Sequence, residues 1–146
     1  MSDGHLNEGF STQSGTLRLH ALGLVIGPNT ARADLLSCLS STRLIVSNGP
    51  WRTYSLGTHS IGGVAFAVRA GFHEEALSFV ELVHLVDGDD GEWDAQREGA
   101  RKIFHDQWLG RPTGAPRTVR YGWGHVDSGY DSRGGESAIV IRYQSS

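Results

Sequence analysis

The chain has 146 residues, a formal net charge of −3, 38% apolar and 20% charged side chains, and a single cysteine, Cys38. That length suits one globular domain with one core. The charge leaves no electrostatic footprint for nucleic acid, one cysteine excludes an internal disulfide, and no apolar run approaches the roughly 18 residues that cross a membrane. No basic segment followed by an apolar core marks a signal peptide. The expectation is a soluble, cytoplasmic protein without a nucleic-acid or membrane partner.

Residues 1–14 are polar, lack periodicity and are expected as a mobile tail, with Phe10 able to dock on a single α+β domain over 15–146. Thr16 to Ile26 begins as an alternating strand that Gly27-Pro28-Asn29 ends. Asn29 or Thr30 can cap a helix from Thr30 to Ser40, because a short side-chain oxygen accepts a free first-turn N–H. Leu35, Leu36 and Leu39 make its apolar stripe. Leu44 to Val46 and Trp51 to Leu56 read as strands around the turn Ser47-Asn48-Gly49-Pro50.

Ile61 to Val86 is the organising stretch. Two apolar runs flank Gly71-Phe72-His73-Glu74-Glu75, the pattern of a β-hairpin. The second run is apolar on both faces, as in a strand covered from both sides. It is therefore expected at the centre of a sheet, with residues 44–86 forming a four-stranded antiparallel meander.

The spacing of Trp93, Ala100, Ile103, Phe104 and Trp108 predicts an amphipathic helix over Glu92–Leu109, packed through Trp93, Ile103, Phe104 and Trp108. Gly110 is its expected stop, since glycine tolerates the left-handed cap. Thr118–Val126 and Glu136–Tyr143 read as a last strand pair joined by a glycine-rich connection. The fold class is thus α+β: a mainly antiparallel sheet of about seven strands with two helices packed on it.

The residues that could carry chemistry form no recognisable constellation. His125 and Asp127 are two apart and point the same way in a strand. The other histidines lack the convergent spacing of a zinc site, so no metal or other cofactor is expected. His84 and His105 read as partly buried, satisfied polar residues. Cys38 lies near a helix C-terminus, which raises a thiol pKa instead of activating it. Glu81 interrupts the central strand, where a carboxylate is costly unless paired. Arg69 is its candidate partner, and a pinned structural carboxylate is the simpler account. The glycines match no phosphate loop.

Two weaker features suggest contact with another protein. The acidic run that contains Asp87, Asp89 and Asp90 would attract a basic partner. Trp51, Tyr54, Trp93, Trp123 and Tyr130 lie near predicted loops, and Trp and Tyr often anchor interfaces.

Three segments together resemble a group of small, stand-alone bacterial proteins of unassigned activity. They are Asn48–Gly57 with Ile61-Gly62-Gly63, Ala100–Leu109, and Trp123–Asp131 with Ser137–Tyr143. In size and plan this group is similar to the immunity proteins that neutralise toxins delivered between bacteria. The resemblance covers most of residues 17–143 and implies a shared fold and a cognate protein toxin as partner. It supplies no catalytic residue.

The leading expectation is a cytoplasmic protein-binding domain of immunity type that occludes a toxin's active site. Its contacts would be Trp51, Tyr54, Asp87, Asp89, Asp90, Trp93, Trp123 and Tyr130. The alternative is a small-molecule-binding protein or enzyme with a cleft bordered by Trp51, Glu81, His105, Trp123, His125 and Asp127. A third reading is a homodimer that buries one sheet edge.

Overall fold

The computed structural model describes residues 5–7, 10–11, 13–19, 23–37, 43–61, 64–84, 95–110, 117–131 and 136–143. Among them the chain is mostly antiparallel sheet with two helices. The larger sheet has seven strands: β5 (Arg43–Asn48), β6 (Trp51–Ile61), β7 (Val64–His73), β8 (Ala76–His84), β9 (Thr118–Tyr121), β10 (Gly124–Asp131) and β11 (Glu136–Tyr143). Their spatial order is β5-β6-β7-β8-β11-β10-β9. The expected meander is therefore present as β5 to β8, and β8 is the middle strand of the seven.

Strand alternation sorts the sheet into two faces. Phe66, Val68, Ala70 and Phe72 of β7 and Val80 and Leu82 of β8 are buried on one face. Ile139, Ile141 and Tyr143 of β11 and Val126 of β10 continue it. This is the core face. The opposite face carries Arg69, Glu81, Val140 and Asp127 in register across four strands.

Two elements beyond the expected sheet cover the core face. Residues 5–7 and 10–11 form β1 (His5–Asn7) and β2 (Phe10–Ser11) within the stretch expected as a mobile tail. With β3 (Leu17–Leu19) and β4 (Leu24–Ile26) they make a separate four-stranded sheet in sequential order. Its apolar residues account for the difference: Phe10, Leu17, Leu19 and Ile26 are fully buried. Phe10 stacks on Trp108 and meets Trp123 edge-on, each at 6.4 Å between centroids. The Tyr143 hydroxyl donates to the Gly15 carbonyl at 2.8 Å and ties the two sheets together. The single strand expected over 16–26 is thus the hairpin of β3 and β4, with Gly23 at φ 62 between them.

Helix α1 (Arg32–Ser37) is shorter than expected; Leu35 is buried, Leu36 packs against the core, and residues 38–42, including Cys38 and Leu39, lie outside the described residues. Helix α2 (Ala95–Trp108) ends as expected, with Gly110 at φ 72 and its N–H on the Gln107 carbonyl. Its packing face needs correction. Arg101, His105 and Trp108 are buried and Phe104 is half-buried, whereas Ile103 is 60% exposed. The stripe runs through positions 101, 104, 105 and 108, so Ile103 points away from it. Arg101 takes the inner place because its apolar stem can lie in the core while its Nε reaches the His84 carbonyl at 3.0 Å.

The predicted strand over 118–126 is also two strands. Tyr121 pairs with Gly124 across the two-residue turn Gly122-Trp123. Gly124 permits this closure: a Cβ there would collide with the Arg142 carbonyl oxygen of the neighbouring strand.

Candidate functional site

The β7–β8 turn has only two residues, Glu74 and Glu75, between the paired His73 and Ala76. Glu74 has φ 56, the left-handed region that costs an L-residue about 1–2 kcal/mol. Neighbouring segments hold it there. The Glu74 N–H donates to the Pro50 carbonyl at 2.7 Å, and the Arg32 N–H donates to the Glu75 carbonyl at 2.8 Å. The Arg32 guanidinium pairs with the Glu75 carboxylate at 2.5 Å. The hydrogen bonds that the Arg32 guanidinium donates to Glu75 and Tyr54 raise its pKa. The turn is therefore a fixed platform, and β5–β6 ends beside it.

Trp51 stands on that platform. It is 43% exposed and lies over the His73 ring, 4.7 Å between centroids. Trp51, Thr53 and Ser55 alternate onto the same face as His73, Gly71 and Arg69. This is the face opposite the core. Ala65, Thr58 and Ser60 on it are exposed and small, so that part of the sheet is low-relief.

Polar residues share the rest of the face with Phe79, Val83, Val140 and Ala138. Arg69 and Glu81 are directly opposite across β7 and β8, with Nη1 and Oε1 3.5 Å apart. Glu81 therefore has the structural partner that the sequence suggested. Further across, Arg142, His125 and Arg120 are consecutive register partners on β11, β10 and β9. Asp127 lies beside them, 3.8 Å from both His125 Nε2 and Arg142 Nε, and accepts a hydrogen bond from the Thr118 hydroxyl. The Arg142 guanidinium covers the Phe79 ring at 5.7 Å, and Phe79 in turn covers Gly71.

His105 is fully buried on the core side. His105 Nε2 accepts the His84 backbone N–H at 3.1 Å while Arg101 donates to the His84 carbonyl. The two helix side chains thus serve the end of β8, where the described pairing with β11 has stopped at Leu82. Accepting at Nε2 places the neutral ring's proton on Nδ1. Burial, then the neighbouring His84 and Arg101, lower the His105 pKa to about 3.

The predicted contact residues fall in different places. Trp51 is exposed on the open face. Tyr54 is buried in the core, edge-on to Phe72 at 6.1 Å. Trp123 is half-buried on the core side, stacked on Tyr121 at 5.3 Å and close to Tyr143. Tyr130 pairs with Ser137 at the other end of the sheet, and nothing is described of its side chain. Asp87, Asp89, Asp90 and Trp93 lie outside the described residues. The alternative cleft does not assemble, because Glu81 is on the open face and His105 beneath the core face. Trp51 and Trp123 also lie on opposite sides of the sheet.

The cross-strand set Arg142–His125–Arg120 was missed in the sequence. Its signal was the Tyr121-Gly122-Trp123-Gly124 turn: reading through it as one strand hid the pairing of Arg120 with His125. Among the described residues, no group of three His, Cys, Asp or Glu could hold a metal ion. No described helix is long and apolar enough to cross a membrane.

No protein-family model matches the chain, and no curated protein matches it. The chain does share a fold with a solved structure, at a sequence identity that speaks for the fold alone. The match is to a chain of the solved structure of Rhs1-CT in complex with its cognate immunity protein RhsI1, with a TM-score of 0.56 and 19% identity. It covers 93% of this chain and 86% of that one.

Proposed function

We propose that this protein is an immunity-type binding protein that neutralises a bacterial toxin by covering its active site, in the cytoplasm where that toxin would act. The observation that carries this reading is the fold likeness over nearly the whole chain to a component of a toxin–immunity complex. The surface agrees with it. Trp51 is an exposed aromatic on a rigid turn platform, which is how interface anchors are presented. A partner seated there would also meet the small exposed side chains of Thr58, Ser60 and Ala65 further along the same face.

The enzyme alternative draws less support, since its carboxylate and histidine are separated by the sheet. Glu81 is held by Arg69, and His105 supports the strand end. The test is to mix the purified protein with toxin domains encoded beside its gene. A stable complex that abolishes the toxin's activity is expected from one of them. Failure of every neighbour to bind would overturn the reading.

A further inference from the structure

Among the described residues, Val25, Trp51 and Ile103 are the large apolar side chains left exposed. The two aliphatics are single residues on an outer surface, which is ordinary. Trp51 differs because its surroundings brace it. The Arg52 Nη1 donates to the Gly49 carbonyl at 2.9 Å and closes the turn before it. Pro50 fixes the backbone angle of the preceding residue, and the His73 ring lies 4.7 Å away on one side. An aromatic ring held in this way has lost much of its freedom before any partner arrives, which favours binding.

Glu74 is the second half of the site. It follows His73, the cross-strand partner of Trp51, and its N–H holds the carbonyl of Pro50, the residue before Trp51. Glu74 is thereby fixed beside the indole. Its left-handed backbone would suit glycine or asparagine better, so the carboxylate is not there to make the turn. The charges around it are two carboxylates, Glu74 and Glu75, and two guanidinium groups, Arg32 and Arg52, so no strong field exists at this end. Their commitments differ, however. Arg32 is taken by Glu75, and Arg52 is turned onto the Gly49 carbonyl from the other face of β6. Glu74 is exposed and makes no ion pair among the described residues. The group left to receive a partner is therefore an acceptor of positive charge.

We infer that Trp51 and Glu74 together seat one arginine side chain of the partner protein, its guanidinium plane on the indole and its N–H groups on the carboxylate. The inference rests on the binding-protein reading and gives the partner's contact a chemistry. Arginine fits better than lysine, because its planar group stacks on an aromatic face and meets a carboxylate through two parallel hydrogen bonds. Tryptophan is the strongest aromatic acceptor of a cation. The chain's net charge of −3 also favours approach of a basic partner over an acidic one.

The test titrates N-acetyl-arginine amide into the intact protein at neutral pH and low salt, while backbone amide and indole N–H resonances are followed. The probe is carried into the tens of millimolar, since an exposed cation–aromatic contact is weak alone. Shifts are expected at Trp51, His73 and Glu74. N-acetyl-lysine amide should give smaller shifts there, and neutral N-acetyl-glutamine amide none. Glu74→Gln should weaken the response about two- to fivefold, and Trp51→Leu should remove it at His73 and Glu74. Both side chains are exposed, so a dispersed amide spectrum should survive in each variant. Should Trp51→Leu fail to fold, Glu74→Gln decides alone. Absence of shifts at these residues, equal shifts with the glutamine derivative, or a response unchanged by Glu74→Gln would overturn the proposal. A captured toxin without an arginine response sinks this inference alone. An arginine response without a captured toxin keeps the seat and sinks the immunity reading.

Discussion

His105 is an ionisable ring without solvent, and its energetics follow from that. Its folded pKa of about 3 lies below the ordinary 6.5, so the unfolded chain takes up the proton first as pH falls. The contribution to stability is complete above pH 6.5 and is lost as pH falls toward 3. Near pH 4.5 the loss from this one group should be on the order of 2–3 kcal/mol. Urea unfolding at neutral and acid pH measures it, and His105→Leu should show a shallower pH slope; an unchanged slope would contradict the assignment.

Two backbone positions make similarly sharp claims. Gly124→Ala forces a Cβ into the Arg142 carbonyl, which as backbone cannot step aside. It should cost about 2–4 kcal/mol in thermal unfolding. Glu74 already bears the left-handed strain, so Glu74→Gly should not destabilise and should add up to about 1 kcal/mol, whereas Glu74→Val should lose at least that much.

At the scale of elements, α2 offers the clearest contrast. Ile103 is an apolar residue on the exposed side of the helix, and Trp108 is on the buried side against Phe66 at 5.0 Å. Ile103→Ser should change stability by no more than about 0.5 kcal/mol, and Trp108→Ala should cost about 3–5 kcal/mol. Equal losses in chemical denaturation would place the helix in the wrong rotation. The sequence misled here because hydrophobicity alone ranked Ile103 above Arg101. Only the carbonyl of His84, distant in sequence, explains why an arginine turns inward.

The same limit governs what else was legible. The β7–β8 hairpin and its central place could be read, because both runs alternate and the second is apolar on both faces. The Gly110 stop could also be read from a local rule. The four-stranded N-terminal sheet could not, since strands as short as Phe10–Ser11 have no period to detect. Phe10 becomes core only once Trp108 and Trp123 arrive from elsewhere. The candidate site was half visible: Trp51 stood out as an aromatic beside a turn, but the set Arg142–His125–Arg120 exists only in cross-strand register.

For the molecule as a whole, the division of labour is between the two faces of the seven-stranded sheet. One is occupied by α2, the N-terminal sheet and the apolar residues of β7, β8 and β11. On the other, among the described residues, Trp51, Thr58, Ser60, Ala65, Arg120 and Arg142 are exposed. Trp51 links the scales, because its exposure depends on the Glu74 turn and its use depends on a partner. The measurement that tests the account most directly is calorimetric titration of the protein and its Trp51→Ala variant into the toxin domains encoded beside the gene. A one-to-one inhibitory complex with one of them is expected, weakened about thirtyfold or more by the variant while its unfolding transition is retained. Binding to none of them, or equal binding and inhibition by the variant, would contradict it.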